Sequence, residues 1–286
     1  MRAAPYAFIS PFYILFAVFM VVPIGGAIYL SLTVWSGIGS PTWAGFANYI
    51  RLFGDGSFYT AGINTLIYVL ISVLVVVPLS LLVAQALNVR GLKFRDFWRV
   101  TYFVPMIVSP IVVALIFGLL YDQQFGLINV AIQSVIGAPK VDWLGDPTLA
   151  KVSVGILVVW RWTGYLSIFF LAGLQAVPRE LYEAADLDGA GPWRKFLSVT
   201  LPTLRPVTAF VVVTVLVGSA QIFDEPFLLT QGGPGNATLS VVMFIYRAAF
   251  QEQQFGYASA AAVLLFAVVF VMGRIGASIA GVGRHA

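Results

Sequence analysis

No cysteine occurs anywhere in the 286-residue chain, which excludes disulfides, thiolate metal sites and cysteine nucleophiles without assigning a compartment. The one histidine, His285, stands at the tail, where chain ends are seldom anchored, so histidine acid–base or metal chemistry is not expected. Charge is scarce as well: 10% of residues are Asp, Glu, Lys or Arg, against about 25% in an ordinary soluble domain. No stretch matches G-x-x-x-x-G-K-[ST], whose backbone amides cradle nucleotide phosphates, so the chain does not hydrolyse ATP by itself. The glycine-bearing stretches GDGSFYT from Gly54 and GVGRHA from Gly281 lack the lysine and the strand-to-helix setting, and read as turns. With no metal-ligand spacing and no nucleophile placed beside a base, neither a catalytic residue nor a metal or cofactor site is predicted.

What the chain has in abundance is apolar surface: 60% of its residues are hydrophobic and its mean hydropathy is +0.93. Several apolar runs approach 20 residues, the length of a bilayer-spanning helix, and none shows the ten-residue alternation of a membrane barrel. The fold class is therefore an all-α membrane protein, with lipid as its main surroundings. One domain over residues 1–286 is expected to carry six spans, near Pro11–Leu32, Ile63–Ala86, Val100–Tyr121, Val152–Leu174, Pro206–Leu229 and Tyr257–Ile279. The first span is long enough to cross and lacks a cleavage site after a short apolar core, so it reads as an uncleaved anchor.

The formal charge of +4 is spread between spans and does not form a stripe, which argues for topology signals and against a nucleic-acid partner. Eleven basic residues fall on one face, in the segments holding Arg2, Arg90 to Arg99, Arg179 to Arg205, and Arg274 to Arg284. Four, Arg51, Lys140, Lys151 and Arg247, fall on the other, and both termini are thereby predicted to be cytoplasmic.

Residues 178–202, in the second cytoplasmic loop, are polar and broken by glycine. Pro178 suits a first helical position, Glu180 and Glu183 favour the positive end of a helix dipole, and Leu181, Ala184, Ala185 and Asp188 recur at helical spacing. Gly189, Gly191 and Pro192 break that helix, and Trp193, Phe196 and Leu197 begin a second amphipathic turn. Two readings fit this physics: helices resting on lipid headgroups, or a docking element whose small residues let another protein approach.

Glu183-Ala184-Ala185, then Gly189, then Val199 and Leu201-Pro202 closely resemble the EAA loop, E-A-A-x3-G-x9-I-x-L-P, of permease subunits of binding-protein-dependent ABC importers, with Val199 for Ile the one departure. WLGDP from Trp143, LAGLQAVPRELYEAADLDGA from Leu171, FDEPFLLTQGGPGNAT from Phe223, and the later IYRAAF and GYASAAA resemble the sugar branch of that family, the maltose first-permease type. The resemblance covers most of the chain. It implies a type I importer permease in a bacterial or archaeal cytoplasmic membrane. Its expected partners are a second, homologous permease, two ATPase subunits or domains carrying ATP and Mg, and an external solute-binding protein. It further implies that Glu183, Ala184, Ala185, Asp188, Gly189, Leu201 and Pro202 form a coupling helix pair seated in the ATPase, with Glu183 facing an arginine there.

For the solute path, Arg161 starts about ten residues into span four, roughly 15 Å deep at ~1.5 Å per residue. Burying it costs about 2.5 to 3.5 kcal/mol, so it needs a polar interior or a partner. Asp224 is the expected partner, in a pair that either fixes packing or binds solute, with Ser219 and Gln221 approaching similar depth. Trp160, Trp162 and Tyr165 around Arg161 suit either a sugar ring or ordinary packing. The resemblance places solute-contacting positions around Ser109, Arg161, Trp162, Gly218 and Ser219, with identities that differ from the maltose protein. Pro78, Pro105 and Pro110 are expected to interrupt spans two and three, as gates or as packing kinks. A sugar is the expected solute and glycerol-3-phosphate or a glycerophosphodiester the alternative. A secondary carrier would require buried acids or bases in several spans, and Arg161 is the one deep charge expected here.

Overall fold

The computed structural model describes residues 4–89 and 91–279. Arg2, Arg90, Arg284 and His285, used above for topology or as a tail, and the turn expected at 281–286 lie outside the described residues. Helix α1 covers residues 4–31, followed by a short hairpin of β1 (Thr33–Val34) and β2 (Thr42–Trp43) that pairs Thr33 with Trp43 antiparallel. Then come α2 (Ala47–Phe53), α3 (Gly56–Asn88), α4 (Arg95–Ile107), α5 (Pro110–Leu120), α6 (Leu127–Ile136) and α7 (Pro147–Gln175). The chain continues through α8 (Arg179–Leu187), α9 (Pro192–Thr203), α10 (Arg205–Ala220), α11 (Asp224–Thr230), α12 (Val241–Gln251) and α13 (Phe255–Ile279).

Four of these helices, α1, α3, α7 and α13, are long and apolar enough to cross a bilayer. Two bent pairs, α4–α5 at 97° and α9–α10 at 68°, raise the number to as many as six. The first helix is lined with exposed apolar side chains such as Phe12, Phe16, Phe19 and Val22, a surface that water would not tolerate at this density.

Proline is accommodated in a repeated way. The π-helical turns Ala17–Val21, Ser72–Val76 and Phe196–Thr200 each stand two residues before a proline, Pro23, Pro78 and Pro202. A proline inside an α-helix lacks an N–H and presses on the carbonyl four residues back. In each case that carbonyl lies within a π turn closed by an i to i+5 bond, from Val22 to Ala17, Val77 to Ser72 and Leu201 to Phe196. The helix widens for one turn and continues, so Pro78 does not interrupt its span. Nor does Pro105, which lies inside α4. The break comes at Val108 and Ser109, because a residue before proline is pushed out of the helical region; Ser109 has φ −52° and ψ 132°, and Pro110 starts α5.

The described residues fall into two compact units. Residues 4–59 and 241–268 compose one of them, which is tied by side chains to backbone. Asn48 donates to the carbonyls of Ser31 and Thr33 at 2.9 and 2.8 Å. Arg51 lies over the Tyr257 ring at 4.2 Å, while the Tyr257 hydroxyl donates to Asp55 at 2.8 Å. The described residues of 60–240 and 269–279 compose the second unit, whose core runs through Tyr68, Val76, Val158, Phe170, Leu174, Leu204 and Val211. Its central helix, α7, opens with Pro147 at its first position, and the Asp146 carboxylate accepts from the amides of Thr148 and Leu149, each at 2.8 Å.

Helix α4 can lie against α7 because position 164 has no side chain: a Cβ there would collide with the carbonyl of Tyr102. Gly164→Ala should therefore destabilise the protein by about 1 to 3 kcal/mol, the usual range for overpacking. Gly62→Ala in α3, where a Cβ meets nothing within 4 Å, should leave the unfolding midpoint of the detergent-solubilised protein unchanged, and equal midpoints for the two variants would contradict the close approach.

Candidate functional site

Within the second unit, α3, α4, α7, α10 and the segment before α11 enclose a cavity of about 340 Å³. Most of its wall is apolar, with Val76, Val158, Leu166, Val215 and Ile222 among the lining residues. Polar groups gather at Arg161, Trp162, Ser219, Gln221, Asp224 and Glu225. A mainly apolar pocket with a few convergent polar groups is the usual form of a small-molecule site.

Six of the seven residues expected along a solute path line this cavity: Arg161, Trp162, Gly218, Ser219, Gln221 and Asp224. The seventh, Ser109, is exposed at the start of α5 and outside the cavity, and Met106 from the preceding α4 stands in the wall instead. The 97° bend beside Ser109 turns α5 away from the line that a straight third span would follow. Trp160 packs against Phe117 with ring centroids 5.3 Å apart, while Trp162 meets Tyr165 edge-on at 5.9 Å.

The partner of Arg161 is Glu225. Its Oε1 accepts from Arg161 Nη1 at 3.1 Å and from the indole Nε1 of Trp162 at 3.0 Å. Asp224, the expected partner, stands 4.0 Å from the same guanidinium nitrogen and is about half exposed, whereas the Glu225 side chain is 5% exposed. The expected Arg161–Asp224 pair is thus present at the longer distance, and the buried Glu225, closer still, corrects the expectation of a single deep charge. The cause is a break in the fifth span: α10 ends at Ala220, Gln221 leaves the helical region at φ −106° and ψ 19°, and α11 restarts at Asp224. Helical spacing carried through from Pro206 to Leu229 therefore misassigns which acid turns inward. The sequence held a signal for the break, since two acids followed by Pro226 mark a helix N-terminus. Arg161 keeps one buried nitrogen, Nε, without a partner.

The second group of candidate residues forms an exposed helix pair. Pro178 caps α8 in an extended conformation, φ −59° and ψ 136°, and the helix proper starts one residue later than the sequence suggests. Glu183, Ala184 and Asp188 are exposed and Ala185 half-buried. Gly189 follows at φ +71°, a left-handed conformation that suits glycine and closes the helix, with the Ala190 amide returning to the Ala185 carbonyl at 2.9 Å. The chain then enters α9 at Pro192. Lys195 to Asp186 at 2.6 Å and the Tyr182 and Thr200 hydroxyls at 2.9 Å hold the two helices together. Leu187, Trp193, Leu197 and Leu201 are all exposed beside this pair. No other described group hydrogen-bonds or ion-pairs with the Glu183 carboxylate. Among the described residues no group of three or more His, Cys, Asp or Glu could hold a metal ion.

Residues 76–280 match the family described as binding-protein-dependent transport system inner membrane component. The chain is 36% identical over 281 residues to the arabinooligosaccharides transport system permease protein AraP of Bacillus subtilis (strain 168), covering 98% of this chain and 89% of that one. It is 35% identical over 270 residues to the lactose transport system permease protein LacF of Rhizobium radiobacter, covering 93% and 90% respectively. Among solved structures it is similar to a chain of a bacterial alginate ABC transporter in complex with an alginate pentasaccharide-bound periplasmic protein. The TM-score there is 0.85 at 26% identity, over 96% of this chain and 92% of that one.

Removing one member of a buried ion pair strands the other. Glu225→Ala should therefore lower the stability of the purified protein by about 3 to 5 kcal/mol, whereas the double replacement Arg161→Met with Glu225→Leu should recover most of that loss. Denaturant unfolding in detergent reads both, and a Glu225→Ala variant as stable as the parent would contradict the pairing.

Proposed function

The chain belongs to the binding-protein-dependent transport system inner membrane component family, and from that premise we propose that it forms half of the membrane passage of an ATP-driven importer for a sugar or oligosaccharide. It is a transporter subunit and not an enzyme. The observation that carries the coupling part of the proposal is the exposed α8–α9 pair, in which Glu183 has no partner among the described residues and stands about one helical turn and a half before the left-handed Gly189. An exposed carboxylate beside small and apolar side chains is suited to a protein partner that supplies an arginine or lysine and an apolar wall. That partner is an ATPase subunit, which holds the ATP and Mg that this chain has no residues to bind.

A second, homologous permease completes the passage, and an extracytoplasmic binding protein delivers the solute. This arrangement is supported by the relatives, named as permeases for arabinooligosaccharides and for lactose, and by the solved transporter with its periplasmic protein. The helix pair and both termini lie on the cytoplasmic side, as the excess of basic residues there supports. ATP-driven closure of the two ATPases draws the coupling pairs together and opens the cavity outward; hydrolysis returns it inward. Direct contact between solute and the Arg161–Glu225 cavity belongs to the same proposal.

Bulk at Gly189 would both strain a positive-φ position and block the approach of a partner, since a Cβ there meets nothing within 4 Å among the described residues. Gly189→Trp and Glu183→Ala should each leave the ATPase turning over while reducing solute uptake at least about tenfold, a loss of roughly 1.4 kcal/mol of coupling or more. ATP hydrolysis and uptake are measured together in proteoliposomes holding the complex isolated through a tag on this chain. Full uptake in both variants would remove α8–α9 from the coupling pathway, and recovery of the chain without ATPase subunits would sink the importer reading.

A further inference from the structure

We propose that Glu225 sets the charge selectivity of the cavity, so that it admits uncharged, hydroxyl-rich solutes and refuses anionic ones such as uronates and phosphate esters. This deepens the sugar reading of the same cavity and rests on it for the identity of the neutral solute.

Arg161, met alone in a span, would make the cavity a site for an anion. The structure removes that option by geometry. One oxygen of Glu225 accepts from both Arg161 at 3.1 Å and Trp162 at 3.0 Å, so the guanidinium is neutralised inside the wall and the indole N–H is committed to the same atom. Asp224 then adds a second carboxylate 4.0 Å from the same guanidinium nitrogen, half exposed and part of the cavity wall. One cation faces two acids, and the polar end of the cavity carries one formal negative charge in excess. Ser72 and Ser219, Gln221 and the Thr214 hydroxyl, the other polar residues of the wall, carry no charge.

In a partly enclosed, mainly apolar space an excess charge acts over several ångströms with little screening, and it repels a like-charged solute far more strongly than it would in water. A neutral sugar escapes that penalty. Its hydroxyls can both donate to the carboxylates and accept from Gln221, while its apolar faces meet the aliphatic wall and Trp162. Trp162 is held in place by the same Glu225 oxygen, so one residue serves both the electrostatic and the positional requirement.

The absence of cysteine makes a direct test available. Gly218 lines the cavity and has open space for a Cβ, so Gly218→Cys introduces the chain's one thiol at the site. In the assembled complex, isolated through a tag on this chain, the thiol is labelled with methanethiosulfonate reagents bearing a trimethylammonium or a sulfonate group. Labelling is read by the mass of this chain and normalised to a free thiol in solution. The cationic reagent should react about tenfold faster than the anionic one in the parent. Glu225→Gln should bring the normalised ratio close to one, and Asp224→Asn together with Glu225→Gln should invert it.

A ratio unmoved by Glu225→Gln would overturn the proposal. Should Glu225→Gln fail to assemble, Asp224→Asn alone removes a charge from a half-exposed position and must lower the ratio by about threefold; an unchanged ratio there overturns the proposal equally. Charges contributed by other subunits are common to all variants and cancel in the comparison. Labelling requires no transport, so a failure of the sugar reading would show as absent sugar uptake with the charge preference intact.

Discussion

In hydrocarbon a peptide group without a hydrogen-bond partner costs several kcal/mol, about the whole stability margin of a small protein. Several irregularities among the described residues follow from that constraint. The 15 prolines each delete a donor, and at Pro23, Pro78, Pro110 and Pro202 the structure answers in one of two ways. Where the helix must continue, a π turn two residues upstream takes up the freed carbonyl, as before Pro23, Pro78 and Pro202. Where it must turn, the residue before the proline leaves the helix, as at Ser109, and the next helix restarts on the proline with a 97° change of direction. Straight helices and sharp elbows thus arise from one rule applied with different local spacing.

The cavity is a consequence of those breaks. A continuous fifth span would carry Asp224 and Glu225 along the spacing set by α10. Ending α10 at Ala220 and restarting at Asp224 instead turns Glu225 toward α7, where it meets Arg161 and Trp162 from adjacent positions of one helix. The buried arginine thereby loses the character that its position alone suggests. It is one half of a neutral pair with a second acid beside it.

The exposed α8–α9 pair follows a different logic. Its internal ties, Lys195 to Asp186 and Tyr182 to Thr200, fix the two helices to each other while leaving Glu183, Leu187 and Trp193 uncovered. Tied within itself and left apolar on its outside, the pair offers a surface to a partner rather than to the core of its own chain. It runs on through the 68° bend at Leu204 into α10, which lines the cavity with Gly218 and Ser219.

The sequence by itself determined the class of the protein, because mean hydropathy, run length and charge spacing are one-dimensional quantities that lipid reads directly. It also determined the helix pair and the break at Gly189 to Pro192, since capping and turn chemistry act over a few neighbours. Six of the seven residues expected along the path gather in one cavity; depth along a helix is simple arithmetic for Arg161, Ser219 and Gln221, whereas Trp162 and Gly218 come from the resemblance. Only the tertiary structure decided that Glu225 holds Arg161 more closely than Asp224, that Met106 replaces Ser109 in the wall, and that Pro78 and Pro105 leave their helices unbroken. Those outcomes depend on the directions in which side chains leave a helix after a break. A rotation of a few residues' backbone reassigns every direction downstream, and no local pattern encodes it.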